Sequence, residues 1–410
     1  MTAVEPHTPA AEDPERDDIA RAVREYFARL RAGDVGSLPV VVGLIAISAF
    51  FYSKNENFLS AANFTNLIVQ MAAVTTIAIG VVFVLLLGEI DLSIGYVSGM
   101  GGVAVALLQQ PGKSYQVAGL VAIVIAVLVG AAIGLIQGSF VAFIGVPSFV
   151  VTLAGLLFWQ GVILRAIGDQ GVITIEDSKV NGVANYFFSD KTGWVIAAVA
   201  ALGFAASVVF GIWARRRAGV RTRNPLLQVL KILAVGGLCF FLVYVCNRDR
   251  GVPFAGLMIV VLIVFWTYVA KRTVFGRHVY AVGGNAEAAR RAGINVKRIK
   301  VLVFMISSGM AALGGVVFAA RLSSVDLNAG GGTILLDAIS AAVIGGTSLF
   351  GGRGEVRNAL YGALLISAIA NGIDLVGYSS ATQFMTTGLI LLAAVTLDTV
   401  LRRRQAAYGR

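Results

Sequence analysis

The stretch QVAGLVAIVIAVLVGAAIGLI, residues 116–136, contains no Asp, Glu, Lys or Arg. Its length matches the roughly 20 apolar residues that cross the hydrocarbon core of a bilayer as one helix. Gly130, Gly134 and Gly138 recur every four residues. This spacing predicts a face of small residues that a neighbouring helix approaches closely, or reflects only the high glycine content of membrane helices. The stretch predicts a membrane-spanning helix.

The composition of the whole chain agrees with a lipid environment. Of the 410 residues, 57% are hydrophobic and 13% are charged, whereas soluble domains carry about 25% charged residues. The mean hydropathy is +0.83. A soluble protein of this length could not remove so much apolar surface from water. We therefore predict an all-α polytopic membrane protein.

Apolar runs between polar interruptions predict about twelve membrane segments. Two of them, 94–110 and 335–350, are short and flanked by glycine, so each is compatible with a re-entrant helix. The segments lie at residues 38–53, 64–87, 94–110, 116–144, 148–168, 193–213, 226–246, 253–271, 299–321, 335–350, 356–376 and 381–401.

The charged residues outside these segments predict the orientation. Lys and Arg collect in the polar leader 1–37, in 215–224, in 271–300 and in the tail 402–410, while the loop 169–192 is acidic. Cytoplasmic loops are enriched in Lys and Arg. Twelve crossings place all four basic regions on one side, so both termini are expected in the cytoplasm. We expect no cleavable signal peptide in the leader, and its residues 17–31 predict either an amphipathic helix on the membrane or an ordinary solvated helix.

Two interruptions of the apolar pattern resemble each other. They are LLGEIDLSIGYVSG, residues 86–99, and VIGGTSLFGGRGEV, residues 343–356. Broken helices at matching positions of two pseudo-repeated halves are typical of a substrate path. Glu89 and Asp91 would be unfavourable against lipid, so we expect them to face protein or water. The alternative is that both stretches are surface loops, with Asp91 as a helix N-cap.

No pattern predicts catalysis or a bound metal. PGKS, residues 111–114, lacks the first glycine of a phosphate-binding loop because residue 107 is Leu. His7 and His278 are the only histidines, and Cys239 and Cys246 share one apolar run, where we expect packing residues. We expect no enzyme activity, cofactor or metal in this chain. Transport would then need an ion gradient acting on buried carboxylates or a separate ATPase.

The basic region between the membrane segments offers a contact for such an ATPase. GNAEAARRAGI, residues 284–294, combines alanines, an early Glu, two late arginines and a terminal Gly293. These features predict a short helix that ends at the glycine. It suits docking on a cytoplasmic partner, although a basic loop that only sets the topology explains the charges equally well.

Several motifs in order resemble the membrane permeases of bacterial ATP-binding-cassette importers for monosaccharides, over roughly residues 38–401. They are GEIDLSIG (88–95), VPSFVVTLAG (146–155), FGRHVYAVGGNAEAARRAGINVKRIK (275–300) and LDAISAAVIGGTSLFGGRG (336–354). Within that family the chain most resembles the xylose-type permeases, because it carries an additional segment pair at about 193–250 that shorter ribose-type members lack. The long leader departs from the family pattern.

The resemblance implies a type II importer-like permease and a set of partners. These are a second permease copy, cytoplasmic ATPase subunits that hold ATP and Mg²⁺, and a sugar-binding protein outside; membrane lipid surrounds the chain, and nucleic acid is not expected. It also implies a coupling helix that receives the motion of the ATPase. That role falls on Gly284, Asn285, Glu287, Ala288, Ala289, Arg290, Gly293 and Ile294.

The substrate path is expected to bind sugar weakly, through side chains that exchange hydrogen bonds. Its candidate residues are Glu89, Asp91, Ser93, Thr347, Ser348 and Asn371. D-xylose is the expected cargo of this subunit of the bacterial cytoplasmic membrane. Another monosaccharide or a nucleoside is the alternative within the class, and a stand-alone ion-coupled sugar carrier is the alternative outside it.

Overall fold

The computed structural model describes residues 38–219 and 225–407. In this part of the chain, fifteen α-helices and a two-stranded sheet follow one another. The helix predicted at 17–31 lies outside the described residues. The elements are α1 (Leu38–Lys54), α2 (Ala61–Leu86), α3 (Ile94–Leu108), α4 (Gly119–Ser139), α5 (Ser148–Ile167), β1 (Val172–Thr174), α6 (Ser178–Asn185), α7 (Asp190–Arg217), α8 (Pro225–Asn247), α9 (Phe254–Arg272), α10 (Val274–Gly284), α11 (Ala286–Arg291), α12 (Val296–Leu322), β2 (Ser324–Asp326), α13 (Ile334–Ile344), α14 (Asn358–Val376) and α15 (Ser380–Ala407).

Among the described residues, eight helices are long and apolar enough to cross a membrane, and four shorter helices are also apolar. The eight are α2, α4, α5, α7, α8, α9, α12 and α14. The four are α1, α3, α13 and α15. These twelve helices coincide with the twelve predicted segments, and the polytopic all-α fold is confirmed. The basic residues from 402 onward continue α15 as far as Ala407.

The described chain forms two compact units. One contains residues 195–219 and 225–241, which are most of α7 and α8, and here Gly236 faces Ala201 while Lys231 lies over the ring of Phe204. This helix pair corresponds to the additional segments predicted at 193–250. The other unit contains the remaining membrane helices.

In the larger unit, α12 is the central helix. Its residues Phe304 and Ala312 are fully buried. A side chain at Gly134 of α4 would overlap the backbone of Phe304, and one at Gly130 would overlap Ser308 and Ala312. The predicted face of small residues is therefore confirmed, and it brings the backbones of α4 and α12 into van der Waals contact. Such close packing holds membrane helices together where lipid removes the hydrophobic driving force.

The helices α3 and α13 are too short to cross the membrane on their own. Their 15 and 11 residues correspond to about 22 and 16 Å of helix, whereas the hydrocarbon core is about 30 Å thick. Non-helical chain therefore extends into the bundle next to each. Beyond the far end of α12, β2 pairs antiparallel with β1, with Ile173 opposite Val325.

The short helix predicted within 284–294 is α11, Ala286–Arg291, and it is preceded by α10, which was not predicted. One local prediction needs correction. Asp91 does not cap α3: the N-cap is Ser93, and its side chain makes no capping hydrogen bond. The Asp91 carboxylate instead accepts hydrogen bonds from Ser93 itself.

Candidate functional site

The helices α10 and α11 form a short angled pair between α9 and α12. Thr273 caps α10 by accepting a hydrogen bond from the amide of Gly276, at 3.2 Å. Asn285 caps α11 by accepting one from the amide of Ala288, at 2.9 Å. Gly293, with φ of +85°, ends the segment in a conformation that favours glycine. Local sequence therefore fixes both helix starts and the final turn.

The predicted coupling residues divide into an outer and an inner set. Ala289 is buried and Ile294 is half-buried against the helix bundle. The outer set is exposed: Gly284, Asn285, Glu287, Ala288, Arg290 and Gly293. One face of α11 thus rests on the bundle and the other is free to contact a second molecule.

Glu287 organises the charges on the outer face of α11. Its carboxylate forms ion pairs with Arg290 at 2.9 Å and with Arg291 at 3.1 Å. Hydrogen bonds from Arg290, and then from Arg291, hold the pKa of Glu287 below its ordinary value. The carboxylate therefore stays charged at neutral pH and lies beside both arginines on the exposed face of α11.

Beneath α10, the two interruptions predicted from the sequence meet each other. The amide of Gly352 donates a hydrogen bond to the carbonyl of Leu86 at 2.9 Å. A side chain at Gly351 would lie 2.9 Å from the amide of Gly88 and 2.9 Å from the carbonyl of Gly283. A side chain at Gly283 would overlap the carbonyl of Leu86. Three backbone segments therefore touch with no room for side chains.

We call this region the junction: α10, α11 and the loops 87–93 and 345–357. Three side-chain contacts hold it together. The Tyr280 hydroxyl donates to the carbonyl of Gly354 at 2.8 Å. Lys271 pairs with Glu355 at 2.6 Å. Lys300, in the first turns of α12, pairs with Glu89 at 2.5 Å.

The environment of the junction shifts two pKa values. Burial, with a smaller contribution from Glu355, raises the pKa of Tyr280, so its hydroxyl remains a donor. Partial burial alone would raise the pKa of Glu355, but the hydrogen bond from Lys271 and the charge of Arg357 outweigh it and lower the pKa. Both groups therefore keep the charge state that their contacts need at neutral pH.

The loop 87–93 continues from the junction into the bundle. Asp91 and Ser93 are buried there. Asp91 Oδ1 accepts hydrogen bonds from the amide and the hydroxyl of Ser93, at 3.0 and 2.7 Å, and Oδ2 lies 3.5 Å from the hydroxyl of Ser307 on α12. Gln137 of α4 lies 2.9 Å from the Ser93 hydroxyl. The hydrogen-bond partners of the Asp91 carboxylate are therefore neutral polar groups.

The other predicted path residues lie at two places. Thr347 and Ser348 are buried in the loop 345–357; the Thr347 hydroxyl forms no hydrogen bond with the described residues. Asn371 lies elsewhere, on α14, where its side chain accepts from Asn63 at 2.8 Å and donates to Gln70 at 3.2 Å. Asn371 thus joins α14 to α2 and is not part of the junction.

Sequence reasoning missed the residues that hold the junction together. Gly283, Tyr280, Lys271, Lys300 and Glu355 were not singled out. Their partners are distant in sequence; Tyr280 and Gly354, for example, are 74 residues apart. The Gly-Gly pair at 283–284 was a local signal of close backbone approach.

Comparison with known proteins relates this geometry to a protein family. Residues 63–395 match the family model of the permease component of branched-chain amino acid transport systems. The xylose transport system permease protein XylH of Escherichia coli (strain K12) is 34% identical, over 92% of this chain and 95% of the relative. XylH of Haemophilus influenzae is 35% identical, over 88% of this chain and 96% of the relative.

A second kind of relative matches over a similar extent. The ribose import permease protein RbsC of Escherichia coli (strain K12) is 32% identical, over 92% of this chain and 96% of the relative. No solved structure matches the chain significantly.

Proposed function

This chain belongs to the family of permease components of branched-chain amino acid transport systems, and from that premise we propose that it is the membrane-spanning subunit of an ATP-driven importer for D-xylose. As a multi-pass membrane permease it is a transport subunit and not an enzyme. The extended similarity to xylose permeases supports xylose as the cargo. The observation that supports coupling to a separate ATPase is the exposed outer face of α11, which is part of the junction.

The proposal includes the orientation and the partners. The end of the bundle that carries α10 and α11 faces the cytoplasm, where ATPase subunits hold ATP and Mg²⁺, and both termini lie on that side. A sugar-binding protein delivers cargo at the opposite end. A second copy of this chain completes the permease within the lipid bilayer. The concentration of Lys and Arg at the α10–α11 end supports this orientation.

In this proposal α11 receives the motion of the ATPase, and the other parts of the junction transmit it. Displacement of α11 would move α10, and the backbone contacts of Gly283 would carry the movement into both helix interruptions at once. Asp91, Ser93 and Thr347 then belong to a buried polar route that exchanges hydrogen bonds with sugar. Asp91 and Ser93 are hydrogen-bonded to each other within this route. Glu89, Ser348 and Asn371 are instead paired with residues outside it and support the route structurally.

The first test uses the complete importer, reconstituted with its ATPase and binding protein in liposomes. We expect ATP-dependent accumulation of D-xylose, with ribose as the parallel substrate. Accumulation of ribose but not xylose would contradict the proposed cargo. Accumulation by this chain alone under a proton or sodium gradient would contradict the importer mechanism.

The second test separates ATP hydrolysis from uptake. The variants Glu287→Ala and Arg290→Ala should reduce xylose uptake at least tenfold per ATP hydrolysed, because they alter the outer face of α11. Arg272→Ala removes an exposed arginine in the last turn of α9, outside α11, and serves as the matched control. Equal uptake in all three variants would contradict a coupling role for α11.

A further inference from the structure

A cavity of about 290 Å³ lies at the C-terminal end of α12. Its walls come from α12, from α3 and from residues 324–334, which connect α12 to α13. The helices α10 and α11 precede the other end of α12. Because α12 is long enough to cross the membrane, the cavity and the junction lie at opposite ends of the bundle.

Part of the cavity wall is non-helical chain at membrane depth. The helix α13 is about 16 Å long, so residues 327–333, which lead into it, must extend below the membrane surface. There Gly330, with φ of +80°, packs against Gly95 of α3, and Gly99 packs against Ala329. Irregular backbone is tolerated at such depth only where protein buries it or water reaches it.

The hydrogen bonds of this segment indicate that water reaches it. Within the described residues, the amide of Gly331 donates to Asn328 at 2.7 Å, but the amides of Gly330 and Gly332 donate to no protein group. Gly330, Gly331 and Gly332 all line the cavity. Unpaired backbone groups would be strongly unfavourable in lipid, so the cavity is expected to hold water.

The lining combines the groups that bind a sugar. Ser98 is buried and lines the cavity, and its hydroxyl donates to the carbonyl of Gly95 at 2.6 Å. Asp326 and Asn328, both exposed, add acceptors and donors to the lining. Phe318 contributes an aromatic surface for the C–H face of a ring. The volume is near the lower end of the roughly 300–1,000 Å³ of small-molecule sites, which fits one monosaccharide.

We propose that this cavity is an entry site that receives one monosaccharide from the side opposite the coupling helices. The inference rests on the proposed function, because the cargo is taken to be a sugar. It assigns the site to Ser98, Phe318, Asn328 and the backbone of 330–332, none of which belongs to the junction or to the predicted substrate path.

Water access is tested by cysteine labelling in spheroplasts that carry the complete importer. Cys239 and Cys246 are first replaced by alanine, and uptake of this background is verified. Ser98→Cys lines the cavity, whereas Ser308→Cys, also fully buried on a membrane helix, does not. An impermeant thiosulfonate reagent should label Ser98→Cys at least tenfold faster than Ser308→Cys. Added binding protein loaded with D-xylose should slow that labelling.

Occupancy is tested by filling the cavity. Ile334→Trp introduces a large side chain at the cavity wall, and Leu336→Trp makes the same change on the same helix away from it. We expect Ile334→Trp to lower the maximal rate of xylose uptake at least tenfold. Leu336→Trp should keep near-parental uptake, and both variants should be equally abundant in the membrane.

The outcomes separate this inference from the proposed function. If Ser98→Cys is as unreactive as Ser308→Cys, or if Ile334→Trp transports like Leu336→Trp, the entry site is overturned. If Ser98→Cys is labelled and protected only by binding protein loaded with another sugar, the entry site stands and xylose is the wrong cargo.

Discussion

The two ends of α12 are built in opposite ways. At its beginning, the junction is closed by backbone contacts that leave no space beside Gly283 and by three side-chain contacts. At its end, residues 315–322 border an open cavity with unpaired glycine amides. The closed end is suited to transmit force because any displacement moves its neighbours. The open end is suited to admit a solute.

The largest expected effect follows from filling the closed end. Gly283→Ala should lower the free energy of unfolding by about 1–3 kcal/mol, because the methyl group forces the backbones of Leu86 and Gly352 apart. Gly284→Ala is the matched control: nothing lies within 4 Å of its added methyl group. It should leave stability unchanged or raise it by up to about 1 kcal/mol.

Thermal unfolding of the purified permease in detergent measures both changes. Equal midpoints for Gly283→Ala and Gly284→Ala would mean that the closed end is not closely packed, and the contrast between the ends of α12 would disappear.

An intermediate effect is expected for the ion pair between Glu89 and Lys300. Both side chains are mostly buried, at 16% and 25% exposure, so their coupling should be about 1 kcal/mol, between values for exposed and buried pairs. A double-mutant cycle with Glu89→Gln and Lys300→Met measures it. The exposed pair of Glu287 and Arg291 is the control, where no measurable coupling is expected. Additive effects at Glu89 and Lys300 would show that this contact does not close the junction.

The smallest effect concerns pH and Glu355. Its folded-state pKa lies below the ordinary value of 4.5, so its contacts stabilise the fold above that pH and are lost as pH falls through the lowered pKa. After solvent screening, the contribution is a few tenths of a kcal/mol. Glu355→Gln should therefore unfold at a slightly lower temperature than the parent at pH 7, and the difference should shrink below pH 4.5 and vanish once the pH is below the lowered pKa of Glu355. If the difference in unfolding temperature did not change with pH, the effect of the substitution would not arise from the charge of Glu355.

Membrane segments were the part of the fold that sequence could predict. The apolar runs specify helices directly, and the spacing of Gly130, Gly134 and Gly138 identified the face that α12 approaches. The helix α10 was missed because glycines at 276 and 283 read as loop signals, although Phe275, Val279 and Val282 recur on one face. The first glycine packs against α9 and the second against α2.

The candidate site could be predicted only in its local parts. The exposed face of α11 follows from residues 284–294, and the similarity of the two interruptions was visible in the sequence. That they touch each other was not, because the contact of Gly88 with Gly351 joins residues far apart in the chain. The same holds for β1 and β2, which are three residues each and pair across the chain. Strands this short show no alternation of apolar and polar residues by which the sequence could distinguish them from loops.

The helix pair α7–α8 leaves and rejoins the rest of the chain at one point. The side chain of Asn247 donates to the carbonyl of Asp190 at 3.3 Å, and Gly193 faces Asn247 and Val243. Both helices are long and apolar enough to cross a membrane. Because two crossings return the chain to the side it started from, removing the pair as one piece would leave every other segment in its present direction.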